Sequence, residues 1–397
     1  MDIADRAKNI NPSPTLTISA IAKQMKAEGK DIISFGAGEP DFDTPQNIKD
    51  KAVASIHSGF TKYTPAGGTE ELKEAICRKF LRDNNLNYTK NEIVVSCGAK
   101  HSLYNIFHAI LNPGDRVIIP APYWVSYPEM ISLAGGKSIL LKTKQKNRFK
   151  ITPDDLAKKI SKRVKALIIN SPSNPTGMVY DKEELEAIGR VALENNIMLI
   201  SDEIYEKIVY DGVDYTSIAS LSPELKQSTI VVNGVSKSYS MTGWRVGYAA
   251  GPEHIIKAIE SIQSHSTSNP SSIAQKAALE AISGPQESIR EMVNAFKERR
   301  DYIVKRLNNI RGIFCLKPRG AFYAFPNIKK LFGMKFNGKE IRSSLDLTGF
   351  LIEEMSVAVV PGIAFGDDNY IRLSYATSME NIQKGMDRIE EGVLKLN

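Results

Sequence analysis

Short apolar stretches recur along the middle of the chain, at residues 92–97, 115–120, 138–141, 165–170, 197–202, 229–233 and 246–250. Amphipathic helical patterns lie between several of them, at 101–110, 124–133, 153–160 and 182–195. Runs of this kind have no polar face to offer to water. They must be covered on both sides, which a mostly parallel sheet with crossover helices achieves. The pattern therefore predicts an α/β fold with a mostly parallel central sheet. In such sheets ligands bind beyond the carboxyl ends of the strands, at a topological switch point. Ser96, Asn174, Asp202 and Lys237 all fall at such ends.

A chain of 397 residues exceeds one small domain. The central pattern predicts a large domain over 46–284. A long, highly charged helical stretch at 285–309 follows it. Strands at 313–316, 322–325, 357–360 and 370–374 and helices at 346–355 and 379–394 then read as an α+β unit. The first 45 residues, a helix and the strand Ile32-Ile33-Ser34-Phe35, are expected to join 285–397 in a smaller domain.

The net charge of +7, from 52 basic and 45 acidic residues, admits acidic ligands. The two signs are interleaved along the chain, and no basic stripe carries aromatic residues, so nucleic acid is not an expected partner. The cluster at 142–150 reads as a solvated strand end. The longest apolar runs, such as 164–169 with Lys165 breaking it, are strand-sized rather than membrane-sized. Met1-Asp2-Ile3-Ala4-Asp5-Arg6 lacks the apolar core of a secretory signal. Cys77, Cys97 and Cys315 form no metal-type spacing, and the five histidines form no ligand cluster. A cytoplasmic protein without metal or structural disulfides is expected.

Chemistry concentrates in Ser236-Lys237-Ser238-Tyr239-Ser240-Met241-Thr242-Gly243-Trp244-Arg245-Val246-Gly247. Lys237 follows an apolar strand in a stretch with little other charge. A buried lysine loses its proton readily and becomes a nucleophile. Hydroxyls beside it and a guanidinium after it suit a phosphorylated aldehyde cofactor. Asp202 ends a strand, as a helix cap or as a carboxylate facing a pyridinium nitrogen. Tyr205, three residues on, is a core aromatic or a phenol for the cofactor's ring oxygen. Ser171-Pro172-Ser173-Asn174-Pro175-Thr176-Gly177 is a turn, or a loop whose Asn174 amide reaches that same oxygen. Ser96-Cys97-Gly98-Ala99-Lys100 precedes a helix, where backbone amides and the helix dipole favour a phosphate. Lys100 on that rim can meet phosphate or an acidic substrate. Trp124 is a large core residue or a stacking platform. Arg372, inside an apolar strand, is an edge-strand cation or a bidentate carboxylate ligand. Gly36-Ala37-Gly38-Glu39-Pro40 allows close backbone approach.

In this order, Gly-Ala-Gly-Glu-Pro at 36, Ser-Asn-Pro-Thr-Gly at 173, Asp-Glu-Ile-Tyr at 202, the lysine motif and Arg-Leu-Ser-Tyr-Ala at 372 span most of the chain. Together they resemble the class I aminotransferases of the fold-type-I pyridoxal-phosphate enzymes, in particular the gamma-subgroup aspartate aminotransferases of bacteria and archaea. The resemblance implies that Lys237 holds the cofactor covalently and later moves the proton. It implies that Asp202 pairs with the ring nitrogen, that Asn174 and Tyr205 bind the ring oxygen, and that Trp124 packs on the ring. Ser236 and Arg245 would hold the phosphate with the amides of Gly98 and Ala99. In the implied homodimer, Tyr63 would reach the phosphate of the neighbouring subunit. Arg372, with Trp124, Asn174 and the Gly38 backbone, would hold the α-carboxylate of an amino acid or 2-oxo acid.

For the distal carboxylate the eukaryotic-type relatives use an arginine from the partner subunit. The comparable stretch here, Ser264-His265-Ser266-Thr267-Ser268-Asn269, has none. The resemblance puts Lys100 in its place, with Thr15 and Thr17 as further lining. The expected activity is transfer of the amino group between aspartate and 2-oxoglutarate. Aromatic or prephenate transamination and carbon–sulfur lysis use nearly the same residues and stay open at this point. A regulator built on the same domain would carry an added DNA-binding domain, which is not expected here.

Overall fold

The computed structural model describes residues 2–8 and 10–397. Its centre is a seven-stranded sheet in the order Ile93–Ser96, Gly247–Ala250, Thr229–Gly234, Met198–Asp202, Val164–Asn170, Arg116–Ala121, Lys137–Lys142. All pairings are parallel except the two made by Gly247–Ala250. Each predicted central strand is present, displaced by no more than a residue or two at its ends. Ile93–Ser96, Thr229–Gly234 and Gly247–Ala250 are buried along their whole length, as strands covered on both faces must be. In Val164–Asn170 the early interruption is Lys165, which is the exposed position of that strand.

The helices follow the apolar period. Ala99–Ile110 buries Ser102, Leu103, Asn105, Ile106, Phe107 and Ile110, the three-and-four spacing of one helical face. Trp124 lies in the turn before the helix Ser126–Leu133 rather than inside it. The 153–160 pattern stops early, as Pro153–Ala157, a short helix capped by the Thr152 hydroxyl accepting from the Asp155 amide at 3.2 Å.

Register places the chemistry. Asn170 pairs with Asp202, and Asp202 with Val232, so the carboxyl ends of three adjacent strands stand side by side. The Thr229–Gly234 strand then delivers Lys237 to the same edge.

Beyond the sheet, Glu287–Asn309 buries Ile289, Met292, Phe296, Arg300, Ile303, Val304 and Leu307 and leaves its other charges outside. A three-stranded antiparallel sheet holds Ile371–Ser374 between Val360–Pro361 and Tyr323–Ala324. Residues 313–316 do not form the expected strand: Phe314 makes one isolated bridge, to Asn327, and is exposed. Ile33–Ser34 runs parallel to Val357–Ala358, and Phe35 is buried in one cluster with Ile303, Leu347, Leu351, Leu373 and Ile382. Burying a side chain of this size contributes about 1.5–3 kcal/mol, which ties the N-terminal segment to the C-terminal elements. The helix Pro14–Ala27 then lies alongside the mouth of a cavity at the sheet's carboxyl edge.

Candidate active site

A cavity of about 770 Å³ opens at that edge. Gly38, Ala99, Lys100, Trp124, Asn174, Asp202, Tyr205, Ser236, Lys237, Arg245 and Arg372 all line it, although the chain separates the first from the last by more than three hundred residues. Thr15 lines it as well, with Leu16 and Ser19; Thr17 is not among its walls. Tyr63 lies apart from this cavity and is 90% exposed in the single chain.

Lys237 is half-buried in the wall, and its ammonium donates to the Gly38 carbonyl at 2.5 Å. Loss of water pulls its pKa down to about 8, against the upward influence of Glu39, while Arg245 and Arg372 lower it further. An ordinary lysine stays charged near neutrality; this one releases its proton far more easily. Glu39 is itself held by the Thr242 hydroxyl at 2.7 Å.

Asp202 is buried, and burial pushes its pKa up to about 6. The Tyr127 phenol donates to its Oδ2 at 2.6 Å, which favours the carboxylate. Among the described residues no lysine or arginine forms an ion pair with Asp202, although Lys237 lowers its pKa from farther off. Burial, with the Asp202 charge behind it, drives the Tyr127 pKa well above that of an ordinary phenol, so Tyr127 remains a donor. Its ring meets Trp124 edge-on, with centroids 5.3 Å apart.

Asn170 braces the next loop. Its amide donates to the Asp202 carbonyl at 3.0 Å, and its oxygen accepts from the Asn174 backbone at 2.8 Å. Tyr205 and Tyr323 share a hydroxyl–hydroxyl bond of 2.8 Å.

An anion cradle lies opposite. Gly98 starts the Ala99–Ile110 helix at φ 92°, a left-handed conformation. A Cβ there would stand 2.1 Å from Arg245 Nη2, and one on Gly247 would stand 2.1 Å from the Ala99 amide nitrogen. Both glycines are required by close approach. The Gly98 amide already donates to the Ser96 carbonyl at 2.7 Å. The next amides of the first turn, those of Ala99 and Lys100, have no carbonyl partner within the helix, and Gly98 contributes through its missing side chain. Arg245 is steadied by the Thr242 carbonyl, 2.7 Å from Nη1. Lys100 extends over the Trp124 ring, 5.0 Å from its centre. Desolvation lowers its pKa, and the charge of Arg245 adds to the effect.

Arg372 is 2% exposed. It donates from Nη1 to Asn174 Oδ1 at 3.0 Å and from Nη2 to the Gly36 carbonyl at 2.9 Å. Tyr323 and Phe365 flank the guanidinium at 4.5 and 5.0 Å. Its Nε is buried without a hydrogen-bond partner, and among the described residues no carboxylate pairs with it. A buried cation left without a counter-charge costs several kcal/mol in real proteins, a cost that an anionic ligand removes.

Sequence reasoning had not singled out Tyr127, Tyr323, Asn170, Glu39 or Thr242. Tyr127 left one usable signal: it follows Trp124 by three positions, across the turn that leads into the Ser126–Leu133 helix.

A family model described as aminotransferase class I and II matches residues 30–389. An aspartate aminotransferase of Geobacillus stearothermophilus is 52% identical over 389 residues, with 98% of each chain covered. The crystal structure of the aspartate aminotransferase of Rhizobium meliloti matches with a TM-score of 0.97 at 44% identity, over all of both chains. The aspartate aminotransferase of Thermus thermophilus with maleate matches with a TM-score of 0.93 at 41% identity, over 99% of this chain and 100% of the other. With these likenesses spanning nearly the whole length, the chain belongs to the class I and II aminotransferases.

Proposed function

We propose that this enzyme is an aspartate aminotransferase, using pyridoxal 5′-phosphate to move an amino group between L-aspartate and 2-oxoglutarate. Oxaloacetate and L-glutamate are the products, in two half-reactions. The observation that carries the reading is the pair of cations in one cavity with Lys237: Arg372, buried without a counter-ion, and Lys100, with no ion-pair partner among the described residues. Two cations suit the two carboxylates of a dicarboxylic substrate. The Thermus neighbour was solved with maleate, itself a small dicarboxylate.

The cavity fits the cofactor. Asp202 is a buried carboxylate in need of a positive partner, which a protonated ring nitrogen supplies. The amides of Ala99 and Lys100, with Ser236 and Arg245, form a cradle for the phosphate. Trp124 offers a flat face for the ring, and Asn174 and Tyr205 offer donors to its oxygen. When bound, pyridoxal phosphate supplies an aldehyde that condenses with amines and a ring that accepts the electron pair freed at the substrate α-carbon.

The chain's residues do the rest. Lys237, partly neutral near physiological pH, would hold the aldehyde of the bound cofactor through its amine and, once released, would serve as the base that takes the α-proton. Asp202 would favour a proton on the ring nitrogen of the bound cofactor. Arg372 fixes the α-carboxylate and so aims the α-hydrogen at Lys237. Lys100 holds the distal carboxylate.

The same reading makes the protein a homodimer in which Tyr63 serves the neighbouring subunit's phosphate; its 90% exposure leaves it open for that role. It divides the chain into a large domain at 46–284 and a small one formed by 1–45 and 285–397. It places the protein in the cytoplasm, in keeping with three unpaired cysteines. No helix among the described residues is long and apolar enough to cross a membrane.

Lys100 is the test of substrate class. Lys100→Gln keeps length and polarity but removes the charge. It is expected to lower kcat/KM for aspartate by about tenfold or more, leaving alanine within about twofold, since a hydrogen-bonded charge contributes about 1.5–3 kcal/mol. Equal losses for both amino acids would refute the assignment.

Tyr127 carries a separate prediction. Tyr127→Phe removes the donor that favours the Asp202 carboxylate, so the Asp202 pKa should rise. Pyridoxal phosphate is expected to bind about tenfold more weakly, measured by equilibrium dialysis of the apoprotein. Unchanged affinity would show that Asp202 needs no support from Tyr127.

A further inference from the structure

The cavity extends beyond Lys237. An outer arm runs beneath the helix Pro14–Ala27 and past the start of the helix Met379–Leu394. Lys23, Lys26, Lys30, Thr377 and Asn381 line it. The three lysines are exposed, and Lys23 and Lys26 have no ion-pair partner among the described residues. Lys30 reaches Glu28 at 3.5 Å. Asp31, the one acid in this arm's wall, is already bound by Lys384 at 2.5 Å and Arg388 at 2.6 Å. In the wall of this arm Lys23, Lys26 and Lys30 thus stand against Asp31 alone, whose charge is already met by Lys384 and Arg388. Nothing in the chemistry at Lys237 requires this excess.

We propose that the outer arm is an electrostatic vestibule, in which Lys23, Lys26 and Lys30 concentrate anionic substrates at the mouth of the active site. It rests on the dicarboxylate reading of the same cavity and adds a rank order to it. A low-dielectric cleft lined by one sign of charge focuses the field and raises the local concentration of the opposite sign. The gain grows with the net charge of the substrate. 2-Oxoglutarate carries two negative charges and no positive one. Aspartate carries two carboxylates and an ammonium, so its net charge is a single negative one. Alanine is neutral overall. The vestibule therefore favours the keto acid over the amino acid, and both over a neutral substrate. Lys100 and Arg372, deeper in the cavity, then bind what the outer lysines gather.

The test uses the cofactor-loaded enzyme and compares kcat/KM for the three substrates in the triple variant Lys23→Gln, Lys26→Gln, Lys30→Gln. At low salt the loss is expected to be about fivefold for 2-oxoglutarate, about twofold for aspartate and nil for alanine, with kcat unchanged. Raising the salt from about 20 to about 300 mM should erase most of the difference between the variant and the parent. The matching Lys→Arg triple variant keeps the charge and should keep the parent's values, which separates charge from local packing. A Gln variant with the parent's kcat/KM and salt slope for 2-oxoglutarate overturns the proposal. So does an equal loss for alanine. A parent enzyme that converts alanine but neither dicarboxylate fails the substrate reading as well, and that failure is recognised because it precedes any substitution.

Discussion

Lys237→Ala is expected to reduce transamination by at least about 10⁴-fold, because the substitution removes both the covalent attachment point and the base that moves the α-proton. The loss should appear in kcat. Phosphate and ring contacts do not involve the amine, so the variant should still bind pyridoxal phosphate. It should also stay folded. The Lys237 pKa is depressed from 10.5 to about 8, so the folded chain holds this proton less tightly than the unfolded one. A depressed lysine costs stability in full below about pH 8; the cost fades between pH 8 and 10.5, where the folded state has already lost the proton, and is gone above 10.5. At pH 7 the alanine variant should therefore melt no lower than the parent. Single-turnover measurements with aspartate, alongside a thermal melt, check both halves. Turnover within tenfold of the parent would remove Lys237 from the reaction.

Arg372→Leu should be the second-largest loss. The guanidinium is buried, flanked by two aromatic rings, and retains an unpartnered Nε. Removing one side of a buried, hydrogen-bonded charge pair costs about 2–5 kcal/mol, or about 30- to 4,000-fold in kcat/KM. Every amino acid substrate has an α-carboxylate. The loss should therefore fall on aspartate and alanine alike, unlike the selective effect of Lys100→Gln. Arg372→Lys should recover little, since an ammonium cannot reproduce the planar fork now engaged by Asn174 Oδ1 and the Gly36 carbonyl. Steady-state kinetics with both substrates make the comparison. A loss confined to aspartate would reassign Arg372 to the distal carboxylate.

The central sheet was legible because strands buried on both faces have nowhere to place polar residues. Lys165 shows the limit case, an isolated lysine that interrupts an apolar run without ending the strand. Asp202, Asn174 and Lys237 were legible because each stands where such a run stops. Parts that depend on contact between distant segments were not. The Tyr127–Asp202 bond joins residues 75 positions apart, and the Tyr205–Tyr323 bond joins residues 118 apart. Neither pair leaves a local pattern. The lack of a counter-ion at Arg372 is likewise a property of its surroundings, not of its strand. The turn at 96–100 was legible as a strand-to-helix junction, but not that the Gly98 amide donates to the Ser96 carbonyl, a contact that the residue types alone do not specify. At 313–316 the short apolar run Ile313-Phe314-Cys315-Leu316 suggested a strand, yet among the described residues none pairs with it beyond one bridge at Phe314. Strand propensity needs a partner edge to become a strand.

The most direct single measurement is to mix the pyridoxal-phosphate-loaded enzyme with one amino acid at a time and follow the cofactor's visible absorbance. Rapid loss of the band with aspartate and glutamate, and slow loss with alanine, phenylalanine and methionine, is the predicted result. Faster conversion by aromatic or neutral amino acids would contradict the pairing of Lys100 with a second carboxylate and overturn the assignment of aspartate as substrate.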